Sequence, residues 1–214
     1  MSVDEQRRYW DDFYKSARSA DVPPDPSAFA AWTQERLSDE QLVIEFGFGT
    51  ARDALWFLRQ GHAVRGYDFA NSAVDAANQH AEALPGDASF AVLDLSDTSA
   101  VDAAVADLST HQAAPAVYGR FLIHSLTDIG RTNLIDVASG LGAELFVEFR
   151  TGKDKGMKHI FGDDHYRTYL DPESVVIEIE ERGGRVTTLD QGHGRAVYKS
   201  EDPHVARVLA DFAK

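Results

Sequence analysis

Two glycines follow a short apolar run in the segment Val43-Ile44-Glu45-Phe46-Gly47-Phe48-Gly49. Because glycine has no Cβ, Gly47 and Gly49 allow a strand to turn abruptly into a helix, and they let a ligand approach the backbone closely. Glu45 stands two positions before the first glycine, inside the apolar run. A carboxylate at this point suits a ligand that is cationic or donates hydrogen bonds. The segment therefore predicts a site for such a ligand at a strand-to-helix turn.

Two further carboxylates follow later predicted strands. Asp68 comes 19 residues after Gly49, at the end of the predicted strand Ala63–Tyr67, and Asp94 follows the predicted strand Phe90–Leu93. A carboxylate in the position of Asp68 is placed to accept both hydroxyls of a ribose, and Asp94 is placed to accept from the amine of adenine. Aspartate at a strand end is also ordinary turn chemistry. The three acids together with the glycine pair favour a nucleoside cofactor.

The residue three places after Gly49 distinguishes between two classes of cofactor. A dinucleotide fingerprint has a third glycine there, where helix and strand pack tightly around a pyrophosphate. This chain has Arg52, whose side chain is bulky, and the carboxylate of Glu45 would lie poorly beside a pyrophosphate. A nicotinamide-dependent oxidoreductase is therefore the disfavoured alternative.

The elements that must position these residues follow from the pattern of apolar runs. From residue 41 onward, short apolar runs alternate with longer amphipathic stretches. This alternation predicts an α/β fold, a Rossmann-like, doubly wound, seven-stranded and mostly parallel sheet. Ligands of such sheets bind at the carboxyl ends of the strands, which is where the glycines and the acids lie.

A single domain covers the chain in this interpretation. Residues 1–40 are predicted as a helical N-terminal cap, and residues 41–214 as the cofactor-binding core. The last elements are predicted as two strands and a helix, with the strands over Val186–Leu189 and Ala196–Tyr198 and the closing helix from Pro203.

Composition limits the partners. Asp and Glu number 35 against 21 Lys and Arg, for a formal net charge of −14. Such a surface repels polyphosphate backbones and anionic lipid heads, so nucleic acid and membranes are disfavoured. The N-terminus lacks the layout of a secretory signal, and no apolar run approaches the ~20 residues that cross a bilayer. The chain has no cysteine, and a cytoplasmic location is predicted.

Four segments resemble the motifs of the class I S-adenosylmethionine-dependent methyltransferases. The family's first motif, an acidic residue and then Gly-x-Gly-x-Gly, is similar to the segment from Glu45 to Gly49, with Ala51 in place of the third glycine. The second, third and fourth resemblances lie in GHAVRGYDFANSAVDAAN, AVLDLSD and YGRFLIHSL. The stretch GTARDALWFLRQG is most similar to tellurite-resistance-type and natural-product members.

The resemblance implies S-adenosylmethionine as the cofactor and a methyl group transferred to an oxygen or nitrogen of a small molecule. It implies that Asp68 binds the ribose, that Asp94 and Leu95 lie beside the adenine, and that Arg120 lies near the methionine end. In this family an N-terminal helix commonly closes over the cofactor, which assigns Tyr14 to the site. The implied cofactor-binding residues are Tyr14, Glu45, Gly47, Gly49, Asp68, Phe69, Asp94, Leu95 and Arg120.

Methyl transfer from a sulfonium is an in-line displacement, so the enzyme mainly aligns the reactants and excludes water. His124 follows the fourth predicted strand and is the candidate base or acceptor-orienting group, since imidazole accepts a proton near neutral pH. The equal alternative is a structural histidine that caps the helix beginning at Thr127-Asp128.

Residues 150–167 follow the fifth predicted strand and hold five of the 21 Lys and Arg. They are predicted as an acceptor loop for an anionic small molecule, with Arg150 as the acceptor-binding residue. The alternative is a solvated loop whose charges balance Asp154, Asp163 and Asp164. A further alternative for the whole chain is a non-catalytic cofactor-binding protein of the same fold.

No metal site is predicted. His159, His165 and Asp163 lie in a loop without a regular frame, and no pair of histidines has the spacing of a metal-binding helix.

Overall fold

The computed structural model describes residues 3–15, 25–109, 113–155 and 168–213. The chain divides into two compact units, Met1–Asp94 and Leu95–Lys214. The single domain with its cap over 1–40 stays a prediction. His159 and His165, with most of the predicted acceptor loop, lie outside the described residues.

The first unit contains four helices and three strands among its described residues. They are α1 (Val3–Lys15), α2 (Ala28–Gln34), β1 (Val43–Phe46), α3 (Arg52–Arg59), β2 (Val64–Asp68), α4 (Asn71–Ala81) and β3 (Ala88–Val92). The strands pair in parallel in the order β3-β2-β1. All four residues of β1 are buried, Glu45 included, which explains why the other three are apolar. Helix α3 ends two residues before Gly61, whose φ of 97° is a left-handed conformation typical of helix ends.

Asp53 fixes α2 to the first turn of α3. Its Oδ1 accepts from the Ser27 backbone N–H at 2.8 Å and its Oδ2 from the Ser27 hydroxyl at 2.7 Å. The same Ser27 hydroxyl oxygen accepts from the N–H of Ala30 at 3.0 Å and so caps α2. Asp53 is buried, and sequence analysis did not identify this anchor.

The second unit contains four strands and three helices among its described residues. They are α5 (Thr98–Leu108), β4 (Ala116–Arg120), α6 (Asp128–Leu141), β5 (Glu144–Arg150), α7 (Pro172–Glu180), β6 (Arg185–Gly192) and β7 (Val205–Asp211), with short 3-10 helices at Ile123–Ser125 and Gly152–Asp154. The strand order is β4-β5-β7-β6. Strands β4 and β5 are parallel, whereas β7 runs antiparallel to both β5 and β6. The seven strands and their mostly parallel pairing confirm the predicted fold class.

Two predictions near the C-terminus are wrong. The predicted closing helix from Pro203 is strand β7, and the predicted strand Ala196–Tyr198 is irregular apart from a bridge between Tyr198 and Glu201. Strand β7 lies between two partner strands and most of its residues are buried. A strand buried on both faces lacks the alternation that identifies a strand, and a short apolar run of this kind is read as a helix just as easily.

No helix within the described ranges has both the length and the apolar composition needed to span a bilayer.

Candidate functional site

The turn after β1 has the backbone geometry that the two glycines predict. Gly47 and Gly49 have φ of 63° and 56°, and Ala51 follows at 55°. We call residues 47–51 the glycine turn. The N–H of Gly47 donates to the carbonyl of Tyr67 at 2.7 Å, which fixes the turn against the end of β2. Such left-handed conformations are costly for a residue with a Cβ, and this explains why glycines occupy two of these positions.

Asp68 joins the glycine turn to the loop after β2. Its Oδ2 accepts from the N–H of Gly49 at 2.9 Å, and its Oδ1 accepts from the N–H of Ala70 at 3.0 Å. Burial raises the pKa of the Asp68 carboxyl, the backbone N–H groups of Ala70, Gly49 and Phe69 oppose this effect, and the charge of Asp11 adds to it. The predicted carboxylate and the second glycine therefore meet at one point.

Tyr14 of α1 packs on the same point. A Cβ added to Gly49 would lie 2.6 Å from the Tyr14 Oη and 3.0 Å from its Cζ. Burial raises the pKa of the Tyr14 phenol well above 10.0, and the charges of Asp68 and Glu45 raise it further. Glu45 is itself buried in β1. The structure thus brings Tyr14, Glu45, Gly49 and Asp68 together, and their binding of a cofactor stays a prediction.

Arg7 of α1 contacts Asp94 and Phe69, which the resemblance also assigned to the cofactor. Its Nη2 donates to the Asp94 Oδ2 at 3.3 Å, and its Cζ lies 5.8 Å from the centre of the Phe69 ring. Asp11, one turn further along α1, accepts from the N–H and the hydroxyl of Ser72 at 3.1 and 3.0 Å. Sequence analysis identified neither Arg7 nor Asp11.

Glu148 is the centre of an ion-pair group in the second unit. Its side chain is fully buried, and its Oε1 accepts from the Nε of Arg120 at 3.0 Å while its Oε2 accepts from the Nε of Arg207 at 2.8 Å. The resemblance assigned Arg120 to the cofactor, but Glu148 and Arg207 were not identified. The available signal was a single carboxylate within the apolar run FVEFR.

Three predicted residues of the second unit surround Phe121. The guanidinium carbons of Arg120 and Arg150 lie 4.3 and 5.3 Å from the Phe121 ring centre, and the His124 ring centre lies 5.8 Å away. We call Arg120, Phe121, His124 and Arg150 the Phe121 cluster. Phe121 has a φ of 53°, and strained backbone of this kind concentrates at functional sites.

The alternative role of His124 as a helix cap is wrong. The Thr127 hydroxyl caps α6 and accepts from the N–H of Gly130 at 3.1 Å. His124 is buried, with its Nδ1 3.4 Å from the backbone N of Arg150. Its role as a base stays a prediction.

Arg150 was predicted as the first residue of the acceptor loop, but it is the last residue of β5 and its side chain is buried. Its Nη1 donates to Asp154 at 2.6 Å and its Nη2 donates to Glu201, and the side chain is 7% exposed. These bonds give Arg150 a structural role within the Phe121 cluster, and direct contact with an acceptor stays a prediction. The described residues contain no group of three His, Asp or Glu side chains that could hold a metal ion.

Leu95 is the first residue of the second unit. Its side chain is buried, and its carbonyl accepts from the Asn133 Nδ2 at 2.7 Å.

Solved structures with this fold include S-adenosylmethionine-dependent methyltransferases. One from Anabaena variabilis ATCC 29413 has a TM-score of 0.71 and 15% sequence identity, covering 99% of this chain and 95% of that chain. The chain has the class I methyltransferase fold. The glycopeptide N-methyltransferase MtfA, solved with S-adenosylmethionine, has a TM-score of 0.63 at 15% identity, covering 87% of this chain and 94% of that chain. No protein-family model and no curated protein sequence matches the chain.

The class I methyltransferase fold is not confined to methyltransferases. The [4+2]-cyclase SpnF has a TM-score of 0.63 at 13% identity, covering 86% of this chain and 80% of that chain. The fold therefore leaves the reaction to be argued from the site itself.

Proposed function

We propose that the protein binds S-adenosylmethionine through its first unit and transfers the methyl group to an oxygen or nitrogen of a small anionic molecule. The observation that carries the proposal is the bond between the Asp68 carboxylate and the N–H of Gly49. This bond supports the proposal because it joins the carboxylate that we assign to the ribose hydroxyls to the second glycine of the turn.

The residues of the first unit fit an adenosyl sulfonium. Each oxygen of Asp68 accepts one backbone N–H, and a carboxylate oxygen has a further lone pair for a ribose hydroxyl. Asp94 is the acceptor proposed for the adenine amine. Glu45 and Asp68 together supply negative charge, which suits a cofactor with an ammonium group and a positive sulfur and opposes a pyrophosphate. The proposed cofactor contacts also include Tyr14 and Phe69.

The cofactor, when bound, supplies a methyl group on a positively charged sulfur, which is already a good leaving group. The chain's own contribution is to hold the acceptor and to exclude water. We assign the acceptor's proton to His124 and the orientation of the acceptor to Arg120. We assign to Arg150 the positioning of His124 and Arg120 within the Phe121 cluster, where its own side chain is held by Asp154 and Glu201.

The preference for an anionic acceptor rests on a smaller set of charges than the sequence indicated. Both guanidinium groups of the Phe121 cluster have carboxylate partners, so the cluster carries little surplus positive charge. Lys153 and Lys155 follow β5 and are exposed. These two side chains are the proposed source of attraction for a carboxylate or phosphate.

Calorimetric titration with S-adenosylhomocysteine and, separately, with NADH tests the cofactor. We expect saturable binding of S-adenosylhomocysteine and none of NADH. The reverse result would replace the proposal with the oxidoreductase alternative. Incubation with methyl-labelled S-adenosylmethionine and a panel of small carboxylic and phosphoric acids then tests the transfer. Binding without transfer of label to any acid would favour the non-catalytic alternative.

Binding of S-adenosylhomocysteine is expected to weaken as the pH falls through the pKa of Asp68. Burial raises this pKa above 3.8, so the free protein takes up the proton at a higher pH than an exposed aspartate does. The ionised Asp68 carboxylate therefore lowers the free energy of unfolding at neutral pH. This penalty decreases as the pH falls from the raised pKa towards 3.8. The ligand has the opposite preference, because the ionised carboxylate offers both oxygens to the ribose. Titrations at stepwise lower pH should show this loss in the wild type. An equal loss in Asp68→Asn would contradict the assignment.

A further inference from the structure

The outer edge of strand β3 has a side chain as its hydrogen-bond partner. In a parallel ladder, the backbone groups of successive residues point alternately to the two sides of a strand. The carbonyl of Asp87 and the N–H of Leu93 bond to β2. Ala88, Phe90 and Val92 therefore present their N–H and C=O groups to the other side. β3 is the end strand of the sheet, and no strand within the described ranges pairs with it on that side.

The side chain of Asn78 occupies the middle of this edge. Its Nδ2 donates to the carbonyl of Phe90 at 3.0 Å, and its Oδ1 accepts from the N–H of Phe90 at 3.2 Å. An amide side chain offers donors and an acceptor as a peptide group does, so Asn78 makes both bonds that a neighbouring strand would make to Phe90. Asn78 belongs to α4, and this helix thereby closes the centre of the edge.

β3 lacks the other features that keep edge strands from pairing. Such strands commonly carry charged residues, proline or a β-bulge. The sequence of β3 is ASFAV, its register with β2 is unbroken, and Val92 is 44% exposed. The end strand of the second unit, β6, differs, because it carries Arg185 and Asp190 and its register with β7 shifts between Val186 and Thr188. Among the described residues, the contact from Asn78 is therefore the protection that β3 has.

The edge of β3 is complementary to the same edge of a second copy of the chain. Antiparallel pairing about a twofold axis at Phe90 would place Ala88 opposite Val92 and the two Phe90 residues opposite each other. All three residues point their backbone groups outward, as the hydrogen-bonded positions of an antiparallel ladder require. The strand has no charge that would repel its copy. The central pair would need the Phe90 groups that Asn78 holds.

We propose that Asn78 is an edge guard that prevents β3 from pairing with β3 of a second copy of the chain. The inference does not depend on the proposed function. Pairing would break the two bonds to Asn78 in each copy and would form only two bonds between the Phe90 residues. Without Asn78 the same groups would bond to water, and their pairing would bring a net gain.

Three variants test the edge guard. Asn78→Ala removes the amide and places a better helix former in α4, so the helix is retained. Asn71→Ala is the matched control, because Asn71 is an exposed asparagine in the first turn of the same helix. The double variant Asn78→Ala with Val92→Lys adds a charge to the edge, which disfavours strand pairing. Sedimentation equilibrium measures the dissociation constant of self-association, and hydrogen–deuterium exchange measures the protection of the Phe90 amide.

We expect Asn78→Ala to self-associate about tenfold more tightly than the wild type, or more. Its Phe90 amide should exchange faster in dilute protein and become protected as the concentration rises. Asn71→Ala should match the wild type, and Val92→Lys should reverse the association. Self-association of Asn78→Ala no tighter than that of the wild type would overturn the edge guard, because the edge would then stay unpaired without it. Association that persists with Val92→Lys would overturn it as well, because another surface would be responsible.

Discussion

Replacing Glu148 with alanine is expected to lower the free energy of unfolding by about 3–5 kcal/mol, since the change leaves buried cations without their carboxylate. Glu148 is fully buried and accepts from Arg120 and Arg207, and Arg207 is buried as well. The corresponding fall in melting temperature is roughly 6–20 °C for a chain of this size. Differential scanning calorimetry and urea unfolding, followed by circular dichroism, measure the effect.

Glu180→Ala is the matched control for this variant. Glu180 is an exposed glutamate at the end of α7, and its removal should change stability by no more than about 0.5 kcal/mol. The double variant Glu148→Leu with Arg207→Met should regain part of the loss, because it removes a buried charge together with its partner. Equal melting temperatures for Glu148→Ala and Glu180→Ala would show that the buried carboxylate does not hold this region together.

Replacing Asp68 with alanine is expected to weaken the binding of S-adenosylhomocysteine by about 100-fold or more. Hydrogen bonds to a charged group contribute about 1.5–3 kcal/mol each, and two ribose hydroxyls would lose their acceptor. The N–H groups of Gly49 and Ala70 lose the same carboxylate, so the glycine turn loses its support as well. Isothermal titration calorimetry measures the loss of affinity.

Asp75→Ala controls for the change in net charge, because Asp75 is an exposed aspartate on α4 of the same unit. We expect its affinity to stay within about twofold of the wild type, as for a surface change away from the site. Asp68→Asn keeps the shape of the side chain and one acceptor oxygen, and should fall between the two. Wild-type affinity in Asp68→Ala, with an unchanged melting temperature, would remove Asp68 from the cofactor site.

The glycine turn and the position of Asp68 beside it could be predicted from sequence because their determinants are local. The residue type of Gly47 and Gly49 is enough to predict a left-handed turn after β1. Asp68 is the last residue of β2, which is parallel to β1. Because the carboxyl ends of parallel strands lie at the same edge of a sheet, Asp68 is expected near that turn. The fold class followed from the same alternation of runs.

Contacts between distant segments could not be predicted in this way. Arg7 and Asp94 are 87 positions apart, and Arg207 and Glu148 are 59 apart, and a charge pattern does not tell which of many acids a given arginine contacts. Strand β7 was missed for a different reason, because most of its residues are buried on both faces, which removes the alternation that marks a strand.

The position of Glu148 within the sheet favours one register of β7 while the second unit folds. Glu148 stands directly opposite Arg120 in the parallel ladder and directly opposite Arg207 in the antiparallel one. A slip of β7 by one residue would turn Arg207 to the other face of the sheet, where its charge would lie apart from the Glu148 carboxylate. The ionic group therefore penalises misaligned pairings that the apolar residues of β7 alone would tolerate.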